Sequence, residues 1–286
     1  MAIADWQGPF ADAEKNRALS SLEHGRVLYF PRLAFAAGGH GDALFSPQLA
    51  DRRAKNISYD PVGRTLKGAA AADRERRCVQ AAIEAFSAAA MRFVRDLLPR
   101  YAPSIECARA SYRPVEIAGR DYSPLKDDRL LHVDAFPSTP TRGRRILRFF
   151  SNVNPSGELR VWHIGEPFET YQRRFLPALP RPVPPVAWVL QAVGATRGRR
   201  SAYDQLMLGL HDSAKRDAMF QQSAAREEAA FPAGSSWLCF TDQVVHAALA
   251  GQYALEQTFY LGVDAMAEPE RSPLRTLERD IGRKLC

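Results

Sequence analysis

Apolar positions follow a helical period in the N-terminal third of the chain and a strand-like pattern further on. Residues 73–100 carry an apolar stripe at roughly helical spacing, which predicts a helix that packs one face against a core. The stripe consists of Ala81, Ile83, Phe86, Met91, Val94 and Leu97. Before this helix, the short apolar run at residues 28–33 predicts a strand.

From Ser111 onward the chain changes to short runs of β-branched and aromatic residues, which are separated by proline, glycine and asparagine. The first block of predicted strands comprises Tyr112–Ile117, Leu130–Ala135, Arg145–Val153 and Leu159–Ile164. A helical interlude is predicted over residues 168–226, with a proline-rich interruption at 179–185. Further strands are predicted at Ser236–Thr241, His246–Leu249 and Leu255–Val263, followed by a final helix over 272–284.

Many short strands in one half, flanked by helices, predict a β-sandwich or barrel supported by helices. We expect a single domain over residues 1–286, with a largely helical part at 1–110 and the β core at 111–265. Hydrophobic residues make up 46% and charged residues 25% of the chain, which is ordinary for a folded protein.

Candidate membrane and secretion signals are missing from the pattern. No segment approaches the roughly eighteen apolar residues that a membrane helix needs, and residues 1–10 lack a basic region followed by an apolar run. We therefore expect a cytoplasmic protein. The four cysteines are scattered without a CxxC pair, so free thiols are expected rather than a structural zinc site.

The net charge of +7 is compatible with a nucleic acid, an anionic membrane surface or an acidic substrate. The arginine runs at 142–145 and 197–200 are not interleaved with aromatic residues, and no nucleic-acid-binding signature is present. We therefore expect no nucleic-acid partner.

A His-x-Asp pair and one distant histidine form a candidate metal site. In extended chain, residues two apart project from the same face, so His132 and Asp134 can address one ion. His246 opens a predicted strand after a turn, where it can face the pair across a barrel mouth. Two histidines and one carboxylate suit iron(II) and leave positions open for a chelating 2-oxo acid and dioxygen.

Arg148 is a candidate anchor for the far carboxylate of such a 2-oxo acid. It lies in the otherwise apolar strand Ile146–Phe150, where a guanidinium is costly unless an anion receives it. Arg113 is a second candidate. Many oxygenases of this class carry the basic anchor about ten residues after the distal histidine, but residues 254–258 contain no basic residue here, which favours Arg148.

At this point the sequence resembles the Kdo 3-hydroxylases of Gram-negative bacteria over most of its length. The segments that carry the resemblance are residues 131–148, Phe150–Asn154, Arg160–Phe168, Lys55–Tyr59 and Phe240–His246. The resemblance implies an α+β fold with a double-stranded β-helix (jelly-roll or cupin-like) core flanked by helices. It also implies an enzyme that uses iron(II), 2-oxoglutarate and dioxygen, helped by ascorbate, to hydroxylate C3 of Kdo in lipopolysaccharide.

Carried over by position, the resemblance implies that His132, Asp134 and His246 are the metal ligands and catalytic residues. It also places Arg148, and Arg113 with it, on 2-oxoglutarate. The implied partner is Kdo-lipid A or a related precursor, with peripheral contact at the inner membrane. Arg142, Arg144, Arg145 and Arg160 are candidates for holding the anionic substrate, and Asn152, Trp162 and Gln257 are candidates for lining the cavity.

Two other functions stay open at the level of sequence. A JmjC-like protein hydroxylase would share the metal site and the anchor arginine on the strand after His-x-Asp. A metal-free β-barrel that binds anionic lipid or nucleic acid would predict strong salt dependence and no role for His132.

Overall fold

The computed structural model describes residues 1–37, 42–51, 54, 56–70, 72–119, 122–180 and 200–286. Lys55, the proline-rich stretch beyond Pro180 and the arginine run before Arg200 lie outside these residues. The helices are α1 (Asp12–Glu23), α2 (Asp73–Leu97), α3 (Phe168–Phe175), α4 (Ala202–Arg216), α5 (Ala218–Ser223) and α6 (Pro273–Ile281). The strands are β1 (Leu28–Phe30), β2 (Ile57–Asp60), β3 (Thr65–Lys67), β4 (Glu106–Arg113), β5 (Arg145–Asn152), β6 (Arg160–Gly165), β7 (Arg226–Phe231), β8 (Ser236–Phe240), β9 (His246–Ala250) and β10 (Ala254–Leu261).

Two antiparallel sheets face each other across part of the core. The major sheet has the strand order β1-β8-β5-β10-β4-β2-β3, and the minor sheet has the order β7-β6-β9. Phe150 and Trp237 of the major sheet pack against Trp162 of the minor sheet. The α+β class with a jelly-roll core is therefore confirmed.

The outer face of the major sheet is covered by helix α2. Because alternate strand residues point to opposite faces, Phe149 points outward where Phe150 points inward. The Phe149 ring lies 5.2 Å from the rings of both Trp6 and Phe93, so α2 and the N-terminal segment seal this face. Arg148 is consequently directed into the space between the two sheets.

Helix α2 begins and ends for local reasons. The Glu75 side chain accepts a hydrogen bond from the Ala72 N–H, and acidic residues lie in the first turn. The helix ends at Leu97 rather than at residue 100, because Pro99 disfavours helical backbone at the residue before it. None of the helices in the described residues has the length and apolar character needed to cross a bilayer.

Several sequence predictions about elements were wrong. Leu130–Ala135 is extended but forms no strand beyond a single bridge at His132. The strand expected at Tyr112–Ile117 is instead β4, which begins at Glu106 and ends at Arg113. Helix α1 and strands β2, β3 and β7 were not predicted. Strand β7 was missed because its sequence REEAAF begins with three charged residues and is largely exposed.

We expect Phe149→Ala to destabilise the protein by about 3–5 kcal/mol, since it leaves a cavity among the aromatic rings under α2. Urea unfolding followed by circular dichroism measures the change in the free energy of unfolding. Met219→Ala serves as the matched control, because Met219 is 71% exposed, and its loss should change stability by less than about 0.5 kcal/mol. Equal effects of the two substitutions would contradict the prediction.

Candidate active site

His132 and His246 lie side by side although 114 residues separate them in the chain. The His132 N–H donates to the His246 carbonyl at 3.0 Å, and the His246 N–H donates to the His132 carbonyl at 2.8 Å. Residues paired in this way present their side chains on the same face. Their ring centroids are accordingly 4.7 Å apart.

Asp134 joins the two histidines because it follows His132 by two residues in extended chain. Its N–H donates to the Thr241 carbonyl at 2.8 Å, which fixes the segment against the end of β8. One donor atom from each of the three side chains lies within 4.8 Å of the others, and His132 Nε2 is 3.9 Å from Asp134 Oδ1. Within the described part of the chain, the three side chains form a group able to hold one metal ion.

The hydrogen bonds of the two imidazoles leave Nε2 of each ring free to bind a metal. His132 Nδ1 is 2.7 Å from the Leu130 carbonyl, and His246 Nδ1 is 2.9 Å from the Val244 carbonyl. A carbonyl only accepts, so each Nδ1 carries its proton and each Nε2 keeps its lone pair. Both histidines therefore offer Nε2 as the metal-binding atom.

Burial and charge set the protonation states that a metal requires. His132, Asp134 and His246 are 4%, 9% and 5% exposed. Burial lowers the pKa of both histidines, which favours the neutral, metal-binding form. Burial alone would raise the pKa of Asp134, but the Arg148 guanidinium and the two imidazoles hold it well below its ordinary value. Asp134 Oδ2 faces the Arg148 guanidinium and Oδ1 faces His132 Nε2, so Oδ1 is the oxygen placed to bind a cation together with the two Nε2 atoms.

Arg148 and Arg113, the two predicted anchors, lie next to this group. Arg148 Nη1 is 3.2 Å from Asp134 Oδ2 and 3.5 Å from Glu256 Oε1. Arg113 donates from Nε and Nη2 to Glu256 Oε2 at 3.1 and 2.8 Å. Arg148 is on β5, between β8 and β10, with its side chain 14% exposed, so it is not an edge-strand arginine reaching for solvent.

Glu256 is a residue that sequence reasoning missed. It lies ten residues after His246, where many oxygenases of this class carry their basic anchor, and it pairs with both arginines instead. Burial alone would raise its pKa, but Arg148 and Arg113 hold the pKa below its ordinary value. A carboxylate within a predicted strand was the available signal, since such a group needs a partner when it is buried.

Arg144 and Arg145 are candidates from the sequence for holding a substrate anion. In the structure both side chains already pair with carboxylates of the protein. Arg145 is fully buried and donates to Asp242 at 2.8 Å and to Gln243 at 2.7 Å. Arg144 pairs with Glu106 at 2.6 Å. The prediction for Arg145 is wrong, because its alternation on β5 directs it away from the surface.

Arg160 is also buried. Its side chain faces the barrel interior and has few hydrogen-bond partners there. Its Nη1 donates to the Gly251 carbonyl at 2.9 Å, and its Nε has no hydrogen-bond partner. Gly251 has a φ of 105°, and a Cβ there would lie 2.8 Å from the Leu159 carbonyl oxygen, so only glycine fits beside Arg160. Burial lowers the pKa of Arg160 to about 9.

The residues predicted to line the cavity divide into two groups. Trp162 stacks on the His246 ring at 5.1 Å and supports the site directly. Asn152 instead donates to the carbonyls of Glu158 and Phe231, and Gln257 donates to the carbonyl of Ala108, so both have structural roles. His211, which was not predicted, packs edge-on against His132 at 5.4 Å.

A buried ion pair positions the loop between β8 and β9, which carries His246. The Arg145 guanidinium holds Asp242 and Gln243, immediately after Thr241, whose carbonyl receives the Asp134 N–H. The positions of Asp134 and His246 therefore both depend on one short loop. Arg145 and Asp242 act on the site through the backbone and do not touch it.

The chain resembles proteins of one enzyme family along nearly its whole length. Residues 5–284 match the family described as 3-deoxy-D-manno-oct-2-ulosonic acid (Kdo) hydroxylase. The apo structure of the Kdo hydroxylase KdoO, a non-heme Fe(II) α-ketoglutarate-dependent dioxygenase, has 44% sequence identity and a TM-score of 0.96, covering 100% of this chain and 96% of that one. The KdoO structure with α-ketoglutarate and Fe(III) has the same identity and coverage with a TM-score of 0.95, and the cobalt(II) complex has 0.96. No curated protein matches the sequence.

We expect Asp242→Asn to weaken metal binding by about 10–100-fold, since it loosens the loop that carries His246 without touching the ion. Calorimetric titration of the folded variant with Co(II) measures this affinity. Asp12→Asn is the matched control, because Asp12 is exposed in the first turn of α1 and pairs with Lys15. An unchanged Co(II) affinity in folded Asp242→Asn would refute the positioning role.

Proposed function

The chain belongs to the Kdo hydroxylase family, and we propose that it hydroxylates C3 of Kdo with iron(II), 2-oxoglutarate and dioxygen, giving Ko. The family membership identifies an enzyme, so the metal-free binding module is excluded. The observation that carries the proposal is the convergence of His132, Asp134 and His246 on one buried point. These three residues are the proposed iron ligands.

Bound iron(II) would couple the oxidative decarboxylation of 2-oxoglutarate to succinate with the transfer of one oxygen atom to a substrate C–H bond. The protein's part is to hold two neutral imidazoles and one carboxylate in place. The carbonyls of Leu130 and Val244 orient the imidazoles, and Arg148 keeps Asp134 ionised. Trp162 covers one face of His246 and helps exclude water.

We propose that Arg148 and Arg113 bind the far carboxylate of 2-oxoglutarate. Arg148 lies beside Asp134, Arg113 shares Glu256 with it, and Arg148 Nε is buried without a hydrogen-bond partner. A carboxylate is the anion whose geometry best matches a guanidinium. Glu256 pairs with both arginines and so holds the two guanidinium groups next to each other.

The substrate contains Kdo, and we propose that it is Kdo-lipid A or a related lipopolysaccharide precursor. The net charge of +7 supports an anionic acceptor and contact with an anionic membrane surface. We propose that the reaction takes place at the cytoplasmic face of the inner membrane, where lipopolysaccharide precursors are available before export.

Incubation of Kdo-lipid A with the protein, iron(II), 2-oxoglutarate and ascorbate should add one oxygen atom to the lipid, as measured by mass spectrometry. NMR of the released sugar should place the new hydroxyl at C3. His132→Ala should abolish both the mass gain and succinate formation, since it removes a ligand. A wild-type protein that forms succinate without any mass gain would point instead to another acceptor, such as a protein.

Arg148→Gln should weaken 2-oxoglutarate binding by at least about tenfold, because an amide cannot supply the charge that the carboxylate needs. Calorimetry with the Co(II)-loaded protein measures binding without turnover. Arg92→Gln is the control, since Arg92 is exposed on α2, on the other side of the major sheet. Equal affinities in Arg148→Gln and wild type would remove Arg148 from the co-substrate site.

A further inference from the structure

A cleft of about 410 Å³ lies beside the candidate metal site. Its floor is formed by Arg148 and Glu256 on the inward face of the major sheet, and one wall is the loop that follows Asp134. Its volume is within the range of small-molecule sites. The cleft is therefore separated from a metal ligand by a single side chain, since Arg148 Nη1 is 3.2 Å from Asp134 Oδ2.

The lining of this cleft is rich in hydroxyl groups. They are contributed by Ser58, Ser111, Ser138, Thr139, Thr258 and Tyr260. Ser111 is 5% exposed, and its Oγ has no hydrogen-bond partner. Because an unpaired buried hydroxyl is costly, such a group points to a polar ligand that would pair with it. A polyhydroxylated molecule suits this lining.

Arg109 is the uncommitted positive charge of the cleft. Arg148 faces Asp134 and Glu256, whereas Arg109 has no carboxylate partner among the residues that the structure describes. The register between β10 and β4 shifts between Gln257 and Phe259, so Ala108 and Arg109 both lie opposite Thr258. Bulges of this kind redirect side chains beside active sites.

The spacing of the strands brings Arg109 within reach of the reacting region. Thr258 lies opposite Arg148 on one side and opposite the bulge on the other. Neighbouring strands are about 4.8 Å apart, so the backbones of Arg109 and Arg148 are separated by roughly 10 Å. An extended arginine side chain together with one bound carboxylate is long enough to bridge this distance. The exposed Arg109 lies at the rim, which leaves room for groups attached to the bound molecule.

We propose that this cleft holds the acceptor sugar acid, with its carboxylate on Arg109 and one of its hydroxyls on Ser111. The inference rests on the proposed function and identifies the residues that select the substrate. A free carboxylate and several hydroxyls are the chemistry that the lining complements, and an open rim accommodates the glycosidic attachment to lipid.

The test measures binding of the α-methyl glycoside of Kdo to the protein loaded with Co(II) and 2-oxoglutarate, by calorimetry. Arg109→Gln is expected to weaken binding at least about tenfold, and Ser111→Ala about threefold to tenfold. The methyl ester of the same glycoside lacks the charge, so wild type and Arg109→Gln should bind it about equally. Arg92→Gln is the control and should match wild type with both ligands.

Three outcomes with the Arg109→Gln variant would overturn the inference. These are equal binding of the acid by wild type and Arg109→Gln, an equal loss with acid and ester, and weaker 2-oxoglutarate binding as the main effect of Arg109→Gln. Undetectable binding of the glycoside to wild type would do the same. Failure of the proposed function appears differently: wild type would bind the glycoside through Arg109 but leave Kdo-lipid A without added oxygen.

Discussion

The site depends on two backbone hydrogen bonds between His132 and His246. They join the extended segment after residue 130 to the start of β9, and they bring the two imidazoles onto one face. A shift of one residue in this pairing would turn the His246 ring away from His132 and Asp134, because side chains alternate in extended chain. The Arg145–Asp242 pair also stabilises this register, because it fixes the loop that leads into β9.

The charges inside the barrel are arranged so that they compensate one another. Arg113 and Arg148 share Glu256, and Arg148 also faces Asp134, so each of these four buried ions has an opposite neighbour. Such pairs contribute little net stability, but removing one member leaves an uncompensated charge. The proposed entry of a divalent cation together with a dicarboxylate leaves the total charge unchanged. This balance explains how a strongly polar interior can exist both with and without its proposed ligands.

The sequence predicted the parts of the structure that depend on local pattern. Strand β5 and helix α2 follow from apolar periods of two and 3.6 residues. The period of two also places the His132 and Asp134 side chains on one face of an extended segment. It could not predict that Leu130–Ala135 forms only one bridge, because that depends on which segment lies beside it. Arg145 was misread for the same reason: its partner Asp242 is 97 residues away. Glu256 was missed because a single acid in a strand has no periodic signature.

The proposed acceptor geometry has a consequence for the position of attack. In Kdo, C3 is separated from the carboxylate carbon only by C2, so the group that holds the carboxylate also fixes C3 close by. On the proposed assignment, Arg109 and Ser111 hold that end of the sugar over the cleft floor formed by Arg148 and Glu256. Arg148 in turn is 3.2 Å from Asp134. Because Arg109 is exposed at the rim, the carboxylate and the glycosidic bond at C2 face the opening, and C3 is the ring carbon next to them. On this assignment, the carbon that is attacked depends on how far the Arg109 guanidinium holds the carboxylate from the metal ligands.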